Sequence, residues 1–121
     1  MSDSTGTVTA TRSILVVEDD ELNMKLFRTI LTLDGYGVVQ AFNAERALEL
    51  VEESHPDLIV MDVQLPGMDG TEAVKILKAS EKTWQIPVVA VTGYAMKEDQ
   101  ERCLASGFDA YMTKPLDRAS F

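Results

Sequence analysis

Cysteine occurs once in the chain, as Cys103, so no intramolecular disulfide can form. Histidine also occurs once, as His55, and no Cys/His cluster with metal-ligand spacing exists. There is no signal-peptide pattern, and no apolar run approaches the roughly 20 residues of a membrane span. A cytoplasmic protein without a membrane anchor is expected. Basic residues are scarce: 11 Lys and Arg face 20 Asp and Glu, a net charge of −9 and a pI near 4.4. That balance argues against a nucleic acid or an anionic bilayer as partner. What is present is an ordinary core: 45% of the 121 residues are apolar and 26% are charged, enough to fold as one domain without staples.

Residues 1–12 are mostly Ser, Thr, Gly and other small residues with little to bury, and read as a flexible leader; 13–121 form the domain. Ile14 to Val17, Leu58 to Met61 and Val88 to Val91 are short, unbroken apolar runs, the pattern of strands covered on both faces. Val38 to Ala41 and Asp109 to Met112 are weaker strands. Between them lie helices. Leu22, Leu26, Phe27, Ile30, Leu31 and Leu33 repeat at helical spacing before Gly35, with Asp20 as the cap of that helix. Asn43 caps a second helix with Ala44, Ala47, Leu48 and Val51 on its apolar face, stopped by Pro56. Asp69 and Glu72 form a capping box for a third, carrying Ala73, Val74 and Leu77. A fourth, Ala95 to Ser106, is ended by Gly107, and its charged interior leaves it thinly anchored. Strand and helix alternating at this spacing define a doubly wound α/β parallel sheet, whose chemistry belongs beyond the carboxyl ends of the strands.

Those ends carry a coherent set of groups. The first run empties into Glu18 and Asp19, the third into Asp62, the fourth into Thr92, and the fifth into Thr113-Lys114-Pro115. Three carboxylates in one place repel one another and call for a cation; with the Lys114 ammonium their formal sum is −2, matched by one divalent ion. An all-oxygen donor set suits magnesium, which binds through one or two carboxylates together with phosphate oxygens. Asp62 is then the candidate nucleophile toward phosphorus, Lys114 the cation that offsets phosphoryl charge, and Thr92 a hydroxyl donor to a phosphoryl oxygen.

The stretches Val17-Glu18-Asp19, Met61 to Gly70, Val91-Thr92-Gly93 and Tyr111 to Pro115 resemble the receiver domains of bacterial response regulators, the phosphoacceptor half of two-component signalling. The intervals agree: Thr92 lies 30 residues beyond Asp62, and Lys114 lies 22 beyond Thr92. Within the family, Glu18 to Phe27 and Ile86 to Thr92 resemble single-domain regulators of the DivK type, and receivers of hybrid kinases look similar. The resemblance implies a flavodoxin-like strand order 2-1-3-4-5 and phosphorylation of Asp62. It implies Mg2+ held by Asp19 directly, by Glu18 through water, by Asp62 and by the backbone carbonyl of Gln64. Thr92 is the implied switch hydroxyl, Tyr111 the aromatic that follows it, and Gly93 the residue that leaves room for the phosphoryl group. The implied partners are a histidine kinase or phosphotransfer protein and a downstream protein. On this reading the protein is a signalling domain that catalyses only its own phosphotransfer and autodephosphorylation.

The family's fifth helix is expected to be truncated or absent here, since Leu116 to Phe121 barely begin it. Tyr94 is expected either to shield the acyl phosphate or to be a plain surface aromatic, His55 to be exposed, and Cys103 to be a packed small residue. A magnesium-dependent phosphatase with an aspartyl intermediate is the competing enzyme reading. It is disfavoured because Gln64 stands where such enzymes place a second acid. An unphosphorylated docking module is disfavoured because every motif position holds a competent residue.

Overall fold

A computed structural model describes residues 12–65, 67–93 and 97–113, with residues 97–100 described by their backbone alone. In chain order the elements are β1 (Ser13–Val17), α1 (Glu21–Leu33), β2 (Gly37–Ala41), α2 (Ala44–Ser54), β3 (Leu58–Asp62), α3 (Gly70–Ala79), β4 (Val88–Thr92), α4 (Lys97–Ser106) and β5 (Ala110–Thr113). All strand pairs are parallel, in the order β2-β1-β3-β4-β5. This is the doubly wound sheet expected from the alternating runs. None of the described helices is long and apolar enough to cross a membrane.

Successive residues of a strand face opposite sides, so each apolar run feeds two cores. Ile14, Val16, Val60 and Val91 pack on one face against Met24, Phe27 and Leu31 of α1. Leu15, Val17, Ile59, Met61, Val88 and Ala90 point the other way, onto Ala47 and Val51 of α2, Val74 and Leu77 of α3, and Cys103 of α4. Each such buried Val, Leu or Ile contributes about 1.5–3 kcal/mol relative to exposure.

The helix starts follow the expected caps. The Asp20 carboxylate accepts from the Asn23 N–H at 2.9 Å, Asn43 from Arg46 at 2.7 Å, and Asp69 from Glu72 at 3.0 Å with the reciprocal bond of a capping box. Gly35 and Gly107 follow α1 and α4 with positive φ, the left-handed turn that glycine adopts without a Cβ clash.

Four details differ from the sequence reading. The buried stripe of α1 is Met24, Phe27, Ile30 and Leu31, whereas Leu22 and Leu33 are 78% and 66% exposed and Leu26 is also exposed. The 3.6-residue period puts those three leucines on another side of the helix from the sheet. Secondly, α2 ends at Ser54, ahead of Pro56 as expected, but through a cap the sequence reading did not contain: His55 takes the left-handed conformation (φ 47°). Thirdly, β2 begins one residue earlier than the apolar run, at Gly37. Lastly, β5 begins after Asp109, whose side chain instead accepts the Val88 N–H at 2.8 Å. His55 is exposed and Cys103 is buried, as expected. The leader to residue 11, Ala95 and Met96 of the fourth helix, Tyr94, and the stretch from Lys114 through the fifth helix lie outside the described residues.

Candidate functional site

Parallel register brings the carboxyl ends of β1, β3 and β4 to one edge. Val17 pairs with Met61, and Asp62 with Val91. The residues that follow are therefore level with one another: Glu18 beyond β1, Asp62 at the end of β3, and Thr92 at the end of β4. Glu18 is tied down by its N–H, which donates to the Ala41 carbonyl at 3.0 Å. Its Oε2 accepts the Asp20 N–H at 3.1 Å, so the turn into α1 is held by the same acid that faces the site. The Asp62 carboxylate is oriented by the Gln64 N–H, which donates to Oδ1 at 2.9 Å.

Carboxylate oxygens of Glu18, Asp19 and Asp62 lie within 4.8 Å of one another. Glu18 and Asp62 are buried, and Asp19 is exposed at the mouth. Three ionised carboxyl groups this close repel, and burying two of them costs free energy unless a counter-charge is supplied. The donor set is entirely hard oxygen, with neither imidazole nor thiolate, so it fits magnesium and not a soft transition metal.

Beside the acids, Val63, Gln64, Thr71, Thr92 and Cys103 line a cavity of about 360 Å3. Thr92 is buried there at the end of β4. A side chain at Gly93 would meet nothing within 4 Å among the described residues. Asp69, on the same cavity, caps α3 rather than joining the acid cluster. The Thr71 hydroxyl donates to its Oδ1 at 2.6 Å and, with the Glu72 N–H, holds its carboxyl below the usual range.

Thus Glu18, Asp19 and Asp62 converge, Thr92 stands on the adjoining strand end, and Gln64 contacts Asp62 through its N–H while its side chain is exposed. Tyr111 is half-buried on β5, where it pairs in register with Ala90. Lys114 lies outside the described residues. One feature of the site was not given a role in the sequence: Gly70, the last residue of the Met61 to Gly70 stretch, is buried at the start of α3 against the backbone of Asp62 and Val63. A glycine offers no side-chain chemistry, so the stretch that contains it marks its position and not the close approach it allows.

A five-stranded parallel sheet with acids gathered at its carboxyl edge is the architecture of a signalling receiver. The sequence pattern of the response regulator receiver domain matches residues 14–121, and the chain belongs to that family, as a receiver domain of two-component signalling. It is similar to the polar-differentiation response regulator DivK of Brucella ovis, 48% identical over 111 residues that cover 92% of this chain and 90% of the relative. DivK of Brucella anthropi is 46% identical over 110 residues, 91% of this chain and 89% of that protein. Among solved structures, the receiver domain of the sensor histidine kinase PA1611 of Pseudomonas aeruginosa PAO1 superposes with a TM-score of 0.83 at 34% identity, covering 91% of this chain and 90% of the other. That structure has a magnesium ion coordinated in its active site cleft. The chemotaxis protein CheY4 of Vibrio cholerae gives 0.86 at 25% identity, covering 92% of each chain.

Proposed function

We propose that this receiver accepts a phosphoryl group on Asp62, from the phosphohistidine of a kinase or phosphotransfer protein, and thereby changes its affinity for a downstream protein. The observation that carries the reading is the convergence of Glu18, Asp19 and Asp62 within 4.8 Å at the carboxyl edge of the sheet.

Mg2+ held by these three acids and the Gln64 carbonyl would neutralise phosphoryl charge. A carboxylate oxygen of Asp62 forms the new bond to phosphorus while the bond from phosphorus to the donor imidazole nitrogen breaks, and the electron pair leaves with the imidazole. The Gln64 N–H on Oδ1 holds the carboxylate in a fixed orientation for that attack. Thr92 donates its hydroxyl hydrogen to a phosphoryl oxygen, and Lys114 pairs with another. Hydrolysis of the acyl phosphate by water resets the domain, the one reaction besides its own phosphorylation that it performs.

The output follows as a population shift, since the phosphorylated form gains contacts at Thr92 that the free form lacks. Tyr111, half-buried on the neighbouring strand, follows Thr92 inward. Helix α4 is suited to respond. Among its described side chains, residues 101–106, only Cys103 is buried, so this part of the helix is held to the core by little apolar surface. The test is labelling with acetyl phosphate and Mg2+. Asp62→Asn is expected to take up no phosphate, and labelling of that variant at wild-type stoichiometry overturns the assignment.

A further inference from the structure

We propose that Gly70 is a positioning residue for phosphoryl transfer: its missing side chain is what lets α3 press against the backbone of the phosphoacceptor. The proposal rests on the reading of Asp62 given above. Gly70 shows no positive φ among the glycines that do, so conformational freedom is not its reason for being glycine. Space is the reason. A Cβ at position 70 would lie 2.6 Å from the Asp62 carbonyl oxygen, 2.9 Å from Val63 Cα and 3.3 Å from the Val63 carbonyl oxygen. All three atoms are backbone, so no rotamer change relieves the clash.

The contact is held from both sides. The Gly70 N–H donates to the Val63 carbonyl at 2.9 Å, and the Asp69 capping box fixes the helix start immediately before it. On the opposite side, the Val63 N–H donates to the Val91 carbonyl at 3.0 Å, one residue before Thr92. Asp62 and Val63 are thus clamped between the first turn of α3 and the strand that carries the hydroxyl. Restoring an ordinary contact of 3.4 Å at position 70 requires about 0.8 Å of retreat. Either the helix start moves, breaking its bond to Val63, or the strand end moves and carries the Asp62 carboxylate with it. Misplacement of a reacting group by about 1 Å costs on the order of a hundredfold in rate.

The experiment compares Gly70→Ala with Ala73→Gly, which weakens the same helix one turn later without adding an atom near Asp62. Labelling by acetyl phosphate at saturating Mg2+ is measured per folded molecule, with and without trimethylamine oxide, which favours the compact state. Backbone amide shifts of Val63 and Gln64 are recorded in parallel. We expect Gly70→Ala to label about ten- to a hundredfold more slowly, with both amides displaced and no recovery in the osmolyte. Ala73→Gly should melt at a lower temperature yet label at the wild-type rate. Labelling of Gly70→Ala within twofold of wild type, equal slowing of both variants, or failure of Gly70→Ala to fold even in the osmolyte overturns the proposal in favour of plain packing. Wild type and Asp62→Asn run alongside. A wild type that takes no label, or an Asp62→Asn variant that does, fails the phosphoacceptor reading itself and the proposal with it.

Discussion

The two edges of the sheet treat acidic residues in opposite ways. At the carboxyl edge, Glu18, Asp19 and Asp62 crowd together, like charge against like. At the amino edge, Asp109 is provided for by the fold. The Lys78 ammonium donates to its Oδ2 at 2.8 Å, and the Val88 N–H donates to the same oxygen at 2.8 Å. Lys78 also donates to the carbonyls of Trp84 and Ile86 at 3.1 and 2.9 Å. One ammonium thus ties the end of α3 to the approach to β4 and to the start of β5. Among the described residues, one edge sets its acid against a lysine and a backbone N–H, whereas the other sets acid beside acid, an all-oxygen arrangement that suits a hard cation. The first ties separate segments together; the second gathers oxygen donors from separate strand ends.

Four measurements sharpen or break that contrast. The largest effect is expected from magnesium. At about a hundred times its dissociation constant a ligand specific to the native state adds about 2.7 kcal/mol, so thermal unfolding should shift upward by several degrees. Asp19→Asn, which removes one of the crowded charges, should be neutral or stabilising without the ion and should lose most of that shift. Equal magnesium shifts in both proteins would remove the acid cluster from metal binding.

Lys78→Met should lower stability by about 1–2 kcal/mol with or without magnesium, while leaving acetyl phosphate labelling of Asp62 intact. The value falls below that of a fully buried charged bond because the pair is partly exposed, with side-chain accessibilities of 23% and 50%. Urea unfolding reads it, and an unchanged midpoint would show the clamp to be idle.

Asp69→Ala should cost about 1 kcal/mol through loss of the α3 capping box, visible in the same titration. Retained stability would mean that packing alone holds the helix start.

The smallest effect is on pH dependence. Burial is the largest single influence on the Asp109 carboxyl and pushes its pKa up, but the Lys78 hydrogen bond and charge together with the Val88 N–H outweigh it, so the net shift is downward. A carboxyl lowered in the folded state contributes stability that is present above its unfolded pKa, about 3.9, and lost as pH falls through the lower folded value. Acid unfolding of Lys78→Met should therefore show a shallower loss across that window than wild type. Identical slopes would disconnect Asp109 from acid stability.

These contrasts were unequally legible in the sequence. The acids at the carboxyl edge could be read because Glu18 and Asp62 follow apolar runs directly, with Asp19 next to Glu18, and parallel strands must bring such positions together. The capping residues Asp20, Asn43 and Asp69 were legible for a similarly local reason, since a cap acts within three residues of itself. The clamp at the amino edge joins Lys78 to Asp109 across 31 positions, and no spacing rule marks such a pair. The α1 leucines misled for a related reason. Leu22, Leu26 and Leu33 fit a helical repeat as well as Met24, Phe27 and Ile30 do, and only docking onto the sheet chooses between the faces. His55 as a left-handed cap was illegible because a positive φ is uncommon in any residue other than glycine.

By itself, then, the order of residues determined the strands, the helices with their N-terminal caps, and which acids stand at strand ends, because those properties depend on neighbours a few positions apart. The tertiary structure decided how near the carboxylates of Glu18, Asp19 and Asp62 come, which face of α1 is buried, which cation Asp109 meets, and how closely the first turn of α3 approaches the end of β3. Distances between separate segments are set by packing, and packing exists only once the whole sheet is assembled.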